Sequence, residues 1–156
     1  MQIHLIAVGQ KMPAWITQGY QEFARRLPAD CGLHLIEVAA LRRGKNADLK
    51  RIAEQEAESL LAAVPKGALI IALDERGRQW STRELAEQFD TWRQDSADVA
   101  LLVGGPDGLA DSCRQRARYL WSLSPLTLPH ALVRVLVAEQ LYRAWSIGAK
   151  HPYHRE

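Results

Sequence analysis

The chain has 156 residues, a formal net charge of +2, 47% hydrophobic residues and 24% charged residues. That length suits one domain with a proper core, and the composition is that of an ordinary soluble protein. No run is long enough to cross a bilayer, and the start Met1-Gln-Ile-His-Leu-Ile-Ala-Val8 has neither a basic leader region nor a cleavage site, so a cytoplasmic protein with no membrane partner is expected.

In chain order, Ile3 to Val8 predicts a first strand that ends at Gly9. Pro13 suits the first turn of a helix carrying Trp15, Ile16, Tyr20 and Phe23 at helical spacing, and that helix stops before Pro28. Leu33 to Val38 predicts a second strand, followed by a basic, glycine-containing loop from Ala39 to Lys45. Asn46 or Asp48 can cap the next helix, a surface helix running to about Ala63 with sparse apolar positions at Ile52, Leu60 and Leu61. Ala68 to Leu73 is apolar on both faces, as in parallel sheets, and Asp74 to Arg78 reads as a loop. Ser81 with Glu84 forms a capping box for a helix that turns Leu85, Phe89 and Trp92 inward.

Val99 to Val103 predicts a buried strand that breaks into Gly104-Gly-Pro-Asp-Gly108, then a helix from about Ala110 to Ala117 and a short strand at Tyr119 to Trp121. The last helix spans His130 to Ser146, and only Arg134, Glu139, Gln140 and Arg143 interrupt its apolar residues. A helix apolar nearly all round is buried on more than one side, which predicts a twofold-symmetric homodimer. The alternation of strands and helices argues an α/β fold with a largely parallel sheet.

Open α/β sheets bind ligands outside the carboxyl ends of their strands, so the glycine turn after Val103 is the first candidate site. It lacks the spacing of a dinucleotide fingerprint or a P-loop, and a plain strand-to-helix turn explains it equally well. His130 opens the last helix with Arg134 one turn on; it can act as a base or orient a substrate, or simply cap the helix. Glu139 and Arg143 are four apart, as in an ordinary helical ion pair, but on an otherwise apolar helix the pair is partly desolvated and can serve a site. Arg42, Arg43 and Lys45 form a basic cluster, with Arg114, Arg116 and Arg118 a second one; either can contact phosphates or be a solvated face. The terminal His151-Pro-Tyr-His-Arg-Glu156 carries residue types that stack on bases and hold phosphates. Its two histidines lack further ligands, and Cys31 and Cys113 lack metal-type spacing, so reduced thiols and no metal site are expected.

Leu101-Leu-Val-Gly-Gly-Pro-Asp-Gly108, Ser122-Leu-Ser-Pro-Leu-Thr-Leu-Pro-His130, Leu141-Tyr-Arg-Ala-Trp-Ser146, Arg43-Gly-Lys-Asn-Ala-Asp48 and the terminal hexapeptide resemble the motifs of one family over essentially the whole chain. That family is the ribosomal RNA large subunit methyltransferase H family, of the SPOUT class. The resemblance implies a single domain, 1–156, with an α/β knot: a parallel-rich sheet with helices on both faces, a C-terminal trefoil knot and cofactor site at roughly 73–150, and a homodimer. It implies methyl transfer from S-adenosylmethionine to N3 of a pseudouridine in the 23S rRNA stem-loop at the ribosomal subunit interface, on assembled ribosomes. Carried over by motif, the cofactor site is Leu73, Gly104, Gly105, Leu123, Ser124, Pro125, Leu126, Thr127 and Leu128. Glu139, Arg143 and His130 are expected near the transferred methyl. Arg42, Arg43, Lys45, Tyr153, His154 and Arg155 are expected to hold the RNA, the tail acting across the dimer. Two other readings compete: a non-catalytic ribosome-binding dimer of the same fold, and a small flavodoxin-type nucleotide-binding module.

Overall fold

The computed structural model describes residues 1–155; Glu156, the last residue of the terminal motif, lies outside the described residues. Five strands form one sheet: β1 (Ile3–Val8), β2 (Leu33–Val38), β3 (Leu69–Gln79), β4 (Val99–Val103) and β5 (Tyr119–Ser122). Their order is β2-β1-β4-β3-β5, and every pairing is parallel. Five helices connect or follow them: α1 (Ala14–Ala24), α2 (Leu49–Ala62), α3 (Thr82–Asp95), α4 (Asp111–Arg116) and α5 (His130–Gly148), with short 3-10 turns at Ala29–Cys31 and Pro152–His154.

Side chains alternate across a strand, so an apolar strand feeds two cores. Ile3, Leu5 and Ala7 of β1 and Val99, Leu101 and Val103 of β4 point to one face. There they meet Tyr20 of α1, Leu85 and Phe89 of α3, and Val137 and Leu141 of α5. Ile6, Val8, Ala100 and Leu102 point to the other face, against Ala57 and Leu60 of α2 and Cys113 after Leu109 and Ala110. All five residues of β4 are buried, which follows from its place between β1 and β3.

The expected helix signals are present. Ser81 accepts from the Glu84 N–H at 3.1 Å while Glu84 accepts from the Ser81 N–H at 2.7 Å, closing the capping box. Of the two candidate caps for α2, Asp48 fills the role by accepting from the Arg51 N–H. One expectation is corrected. Residues 74–78, read as a loop from their charges, belong to β3, which runs on to Gln79. The strand is interrupted rather than ended: Leu73 and Arg78 both pair with Trp121, so the intervening residues form an irregular excursion in the ladder. Polar side chains are tolerated there because Glu75, Arg76 and Arg78 are exposed, while the Asp74 side chain is paired with Arg76 and Arg114. Gly77 is required at that excursion, since a Cβ there would lie 2.5 Å from the Leu120 backbone.

Helix α5 packs against α1 and α3 as well as the sheet, which accounts within one chain for much of its apolar circumference. Leu132, Val135 and Leu136 remain partly exposed. Cys31 and Cys113 are free and buried, and burial pushes the Cys113 thiol up to about 11. Among the described residues, no helix is long and apolar enough to cross a membrane, and no group of three or more His, Cys, Asp or Glu is placed to hold a metal ion.

Candidate functional site at the carboxyl ends of the strands

The carboxyl ends of β3, β4 and β5 open into a cleft of about 710 Å³. Three segments line it. The first is Leu73 and the polar excursion Asp74 to Arg76; the second is Val103 and the glycine turn 104–109; the third is Trp121 to Ser124 and Leu126 to His130, closed by Val133. All of the residues expected to hold a cofactor are on this wall except Pro125, which is exposed in the same loop.

The glycine turn is tight for a stated reason. Gly105 and Gly108 form an isolated antiparallel bridge, with the Gly108 N–H donating to the Gly105 carbonyl at 3.0 Å. A Cβ at Gly104 would sit 2.6 Å from the Gly108 carbonyl carbon, so no side chain fits. The facing loop is held by its own polar groups: the Ser122 hydroxyl donates to the Ser124 carbonyl, and the Ser124 hydroxyl accepts from the Leu126 N–H at 2.9 Å. That turn pushes Leu126 out; it is 72% exposed at the cleft mouth.

The charged rim was not legible beforehand. The Asp74 side chain is nearly buried, and it accepts from the Arg76 N–H at 2.8 Å and from Arg114 Nη1 at 3.2 Å. Burial alone would push its carboxyl up, but the Arg76 N–H and the Arg76 and Arg114 guanidinium groups hold it below the usual carboxylate range. Arg114 also donates to the Leu109 carbonyl and pairs with Asp111.

His130 lies on the cleft wall, and the helical spacing sets Arg134 beside it. Arg134 is 1% exposed. It donates to the Gly9 carbonyl at 2.8 Å and to Glu37 Oε2 at 2.5 Å, tying α5 to the ends of β1 and β2. Burial, then the charges of Arg134 and Arg43, lower the His130 pKa, so the ring is neutral at pH 7 and able to accept a proton or a hydrogen bond.

Glu139 and Arg143 do pair, at 3.0 Å, but away from the cleft lining. Glu139 lies nine positions beyond His130, or about 13.5 Å along the helix. The pair instead meets the chain's own tail: Arg143 Nη1 donates to the His154 carbonyl at 3.3 Å, and its guanidinium lies 4.9 Å over the Tyr153 ring. Tyr153 packs on Tyr142 at 4.7 Å, and Tyr142 stacks on Trp145. The tail is thus docked on α5 rather than free. Among the described residues His154 Nδ1 is buried there without a partner, while Arg155 is exposed.

The basic loop divides. Arg42 and Lys45 are exposed. Arg43 is not a free cation: it forks onto Glu56 at 2.8 and 3.0 Å and donates from Nε to Asp107 at 2.6 Å. Glu56, with a side chain only 2% exposed, is a functional-looking residue that the sequence reading passed over. Its signal was its position, one turn from both Ile52 and Leu60 on the inward stripe of α2.

Known proteins place this geometry. The family described as "Predicted SPOUT methyltransferase" matches residues 1–154. The curated Ribosomal RNA large subunit methyltransferase H of Thioalkalivibrio sulfidiphilus (strain HL-EbGR7) is 61% identical over 156 residues, spanning 100% of both chains. Among solved structures, a probable methyltransferase from Bordetella pertussis Tohama I superposes with a TM-score of 0.58 at 18% identity, covering 91% of this chain and 95% of that one. A probable methylase family protein from Haemophilus influenzae Rd KW20 gives 0.56 at 18%, covering 97% and 68%. At that identity the two structures speak to the fold alone.

Proposed function

The chain belongs to the SPOUT methyltransferase family, and from that premise we propose that it methylates N3 of a pseudouridine in the 23S rRNA stem-loop at the ribosomal subunit interface. The donor is S-adenosylmethionine and the substrate an assembled ribosome. One observation carries the reading: the cleft at the strand ends gathers the motif residues of three separate segments onto one wall.

The wall suits the donor. Gly104 and Gly105 allow the turn to close tightly, since a Cβ at either would press on protein atoms packed against it, and Leu73, Leu123, Leu126 and Leu128 supply apolar surface for an adenine ring. Ser124 and Thr127 add polar groups along the same loop. When bound, S-adenosylmethionine supplies a methyl group on a positively charged sulfur. The protein's own part is to align the target nitrogen and to manage its proton. N3 must lose a proton, and a neutral His130 on the wall can accept it or hold the base. Holding donor and acceptor in contact carries much of the rate.

Glu139 and Arg143 reach this chemistry in the homodimer that we propose, where the docked tail and the pair beneath it face the partner's cleft. The partly exposed Leu132, Val135 and Leu136, the 60% exposed Trp15 and the 72% exposed Leu126 support such an interface. A second copy of the chain would cover them. A trefoil threading of roughly 73–150 is part of the same proposal and rests on membership of the family. Arg42, Lys45 and Arg155 are the exposed cations proposed to hold RNA phosphates, and the target base leaves its stack to enter the cleft. Single-turnover methylation of ribosomes tests the residue roles. Glu139→Ala and Arg143→Ala are expected to slow it strongly, and wild-type rates in both would remove the pair from the mechanism.

A further inference from the structure

Arg43 sits in a basic loop, yet its fork is spent on carboxylates inside the protein. Its two terminal nitrogens bind both oxygens of Glu56, at 2.8 and 3.0 Å. Glu56 also accepts from the Leu41 N–H at 2.9 Å, so this one buried carboxylate ties both Leu41 and Arg43 to α2. The remaining edge of the fork, Nε, donates to Asp107 at 2.6 Å, inside the glycine turn. Contact with that turn is close on a second count. A Cβ at Gly105 would lie 3.2 Å from Arg43 Nη2 and 3.4 Å from Glu56 Oε1. The ion pair is therefore the surface against which Gly105 rests.

We propose that Arg43 and Glu56 are positioning residues for the glycine turn: they set the cofactor wall from behind, rather than gripping RNA. Three facts on geometry support it. The pair is bidentate, which fixes orientation as well as distance. Glu56 is out of solvent, so screening is weak and the arrangement is stiff. The carboxylate Arg43 reaches, Asp107, belongs to the cleft lining itself. The basic loop and the cofactor turn then share one anchor, and the exposed Arg42 and Lys45 remain to meet phosphates. This assignment rests on the reading of the cleft as the donor site.

The test is S-adenosylmethionine affinity by calorimetry on the intact protein, with thermal melts alongside. Glu56→Gln keeps the shape and removes the charge; Arg43→Lys keeps the charge and removes the fork. Both are expected to weaken donor binding about tenfold or more. Ile52→Ala, one turn earlier on the same helix, controls for general destabilisation: it should lower the melting temperature and leave donor affinity within twofold. If Arg43 served RNA phosphates instead, Arg43→Lys would keep both donor affinity and RNA affinity. Folded Arg43→Lys protein that binds the donor within twofold of wild type overturns the proposal, whether or not Glu56→Gln folds. Failure of the wild-type chain to bind the donor would instead refute the reading of the cleft.

Discussion

Gly104→Ala is the sharpest perturbation of the cleft. Gly104 does not have a positive φ, so alanine is not strained by its backbone conformation. The whole effect comes from collision: the new Cβ would lie 2.6 Å from both the carbonyl carbon and oxygen of Gly108, and 2.9 Å from the Leu109 nitrogen. Ordinary contact begins near 3.4 Å, so the turn has to open by about 0.8 Å. Those are backbone atoms in a bridge, and they cannot rotate away as a side chain would. Overpacking of this kind costs about 1–3 kcal/mol, and each 1.4 kcal/mol corresponds to a factor of about ten in affinity. Both sides of the collision line the cleft, so the cost should appear in donor binding, as a loss of about 10- to 100-fold by calorimetry. Gly67→Ala is the control. Gly67 has φ +79° with nothing near its Cβ position, and it lies on the loop before β3. It should lose about 1 kcal/mol of stability through backbone strain and no affinity. A folded Gly104→Ala protein with wild-type affinity would refute the assignment of the turn.

Arg134→Met should destabilise the fold by about 2–3 kcal/mol, read from urea midpoints; the buried partner loss alone is worth about 3–5, but Glu37 is one-third exposed and water takes up part of the loss. An unchanged midpoint would show that the Gly9 and Glu37 contacts do not hold α5 in place. Arg42→Ala with Lys45→Ala should lower the salt slope of rRNA binding by about 1.4–1.8 for two lost phosphate contacts, with donor affinity unchanged. His130 has its pKa lowered by burial, with Arg134 and Arg43 adding to the effect. Unfolding therefore takes up a proton below the ordinary histidine value of about 6.5, and the stability His130 confers is full above that pH and lost as pH falls through the folded value. His130→Asn should flatten this acid-side loss in urea midpoints compared at pH 7.5 and 5.5; an identical decline in both proteins would contradict it.

The fold was legible because its strands are apolar on both faces and its helices carry clear stops and caps. Val99 to Val103 and Ala68 to Leu73 could hardly be anything but buried parallel strands, and the capping box at Ser81 appears as written. The end of β3 was hidden because charge says loop, whereas Asp74 to Arg78 is a polar excursion within a strand whose pairing resumes at Arg78. At the site, the glycine turn and the Leu123 to His130 loop announced themselves through glycine, proline and local polarity. What stayed hidden depends on distance in space. Arg43 and Glu56 are 13 positions apart, Arg43 and Asp107 are 64, and Arg134 and Glu37 are 97, so no helical or strand period relates them. Glu139 and Arg143 show the converse. Their spacing predicted the ion pair, but it could not say that the pair would meet Tyr153 and His154 rather than the cleft.

The most direct test is methyl transfer from labelled S-adenosylmethionine to ribosomes lacking the modification, with naked 23S rRNA alongside. Label at N3 of a single pseudouridine, on ribosomes and not on naked RNA, is the predicted result. No label on either substrate, from protein that binds the donor normally, would contradict the assigned substrate.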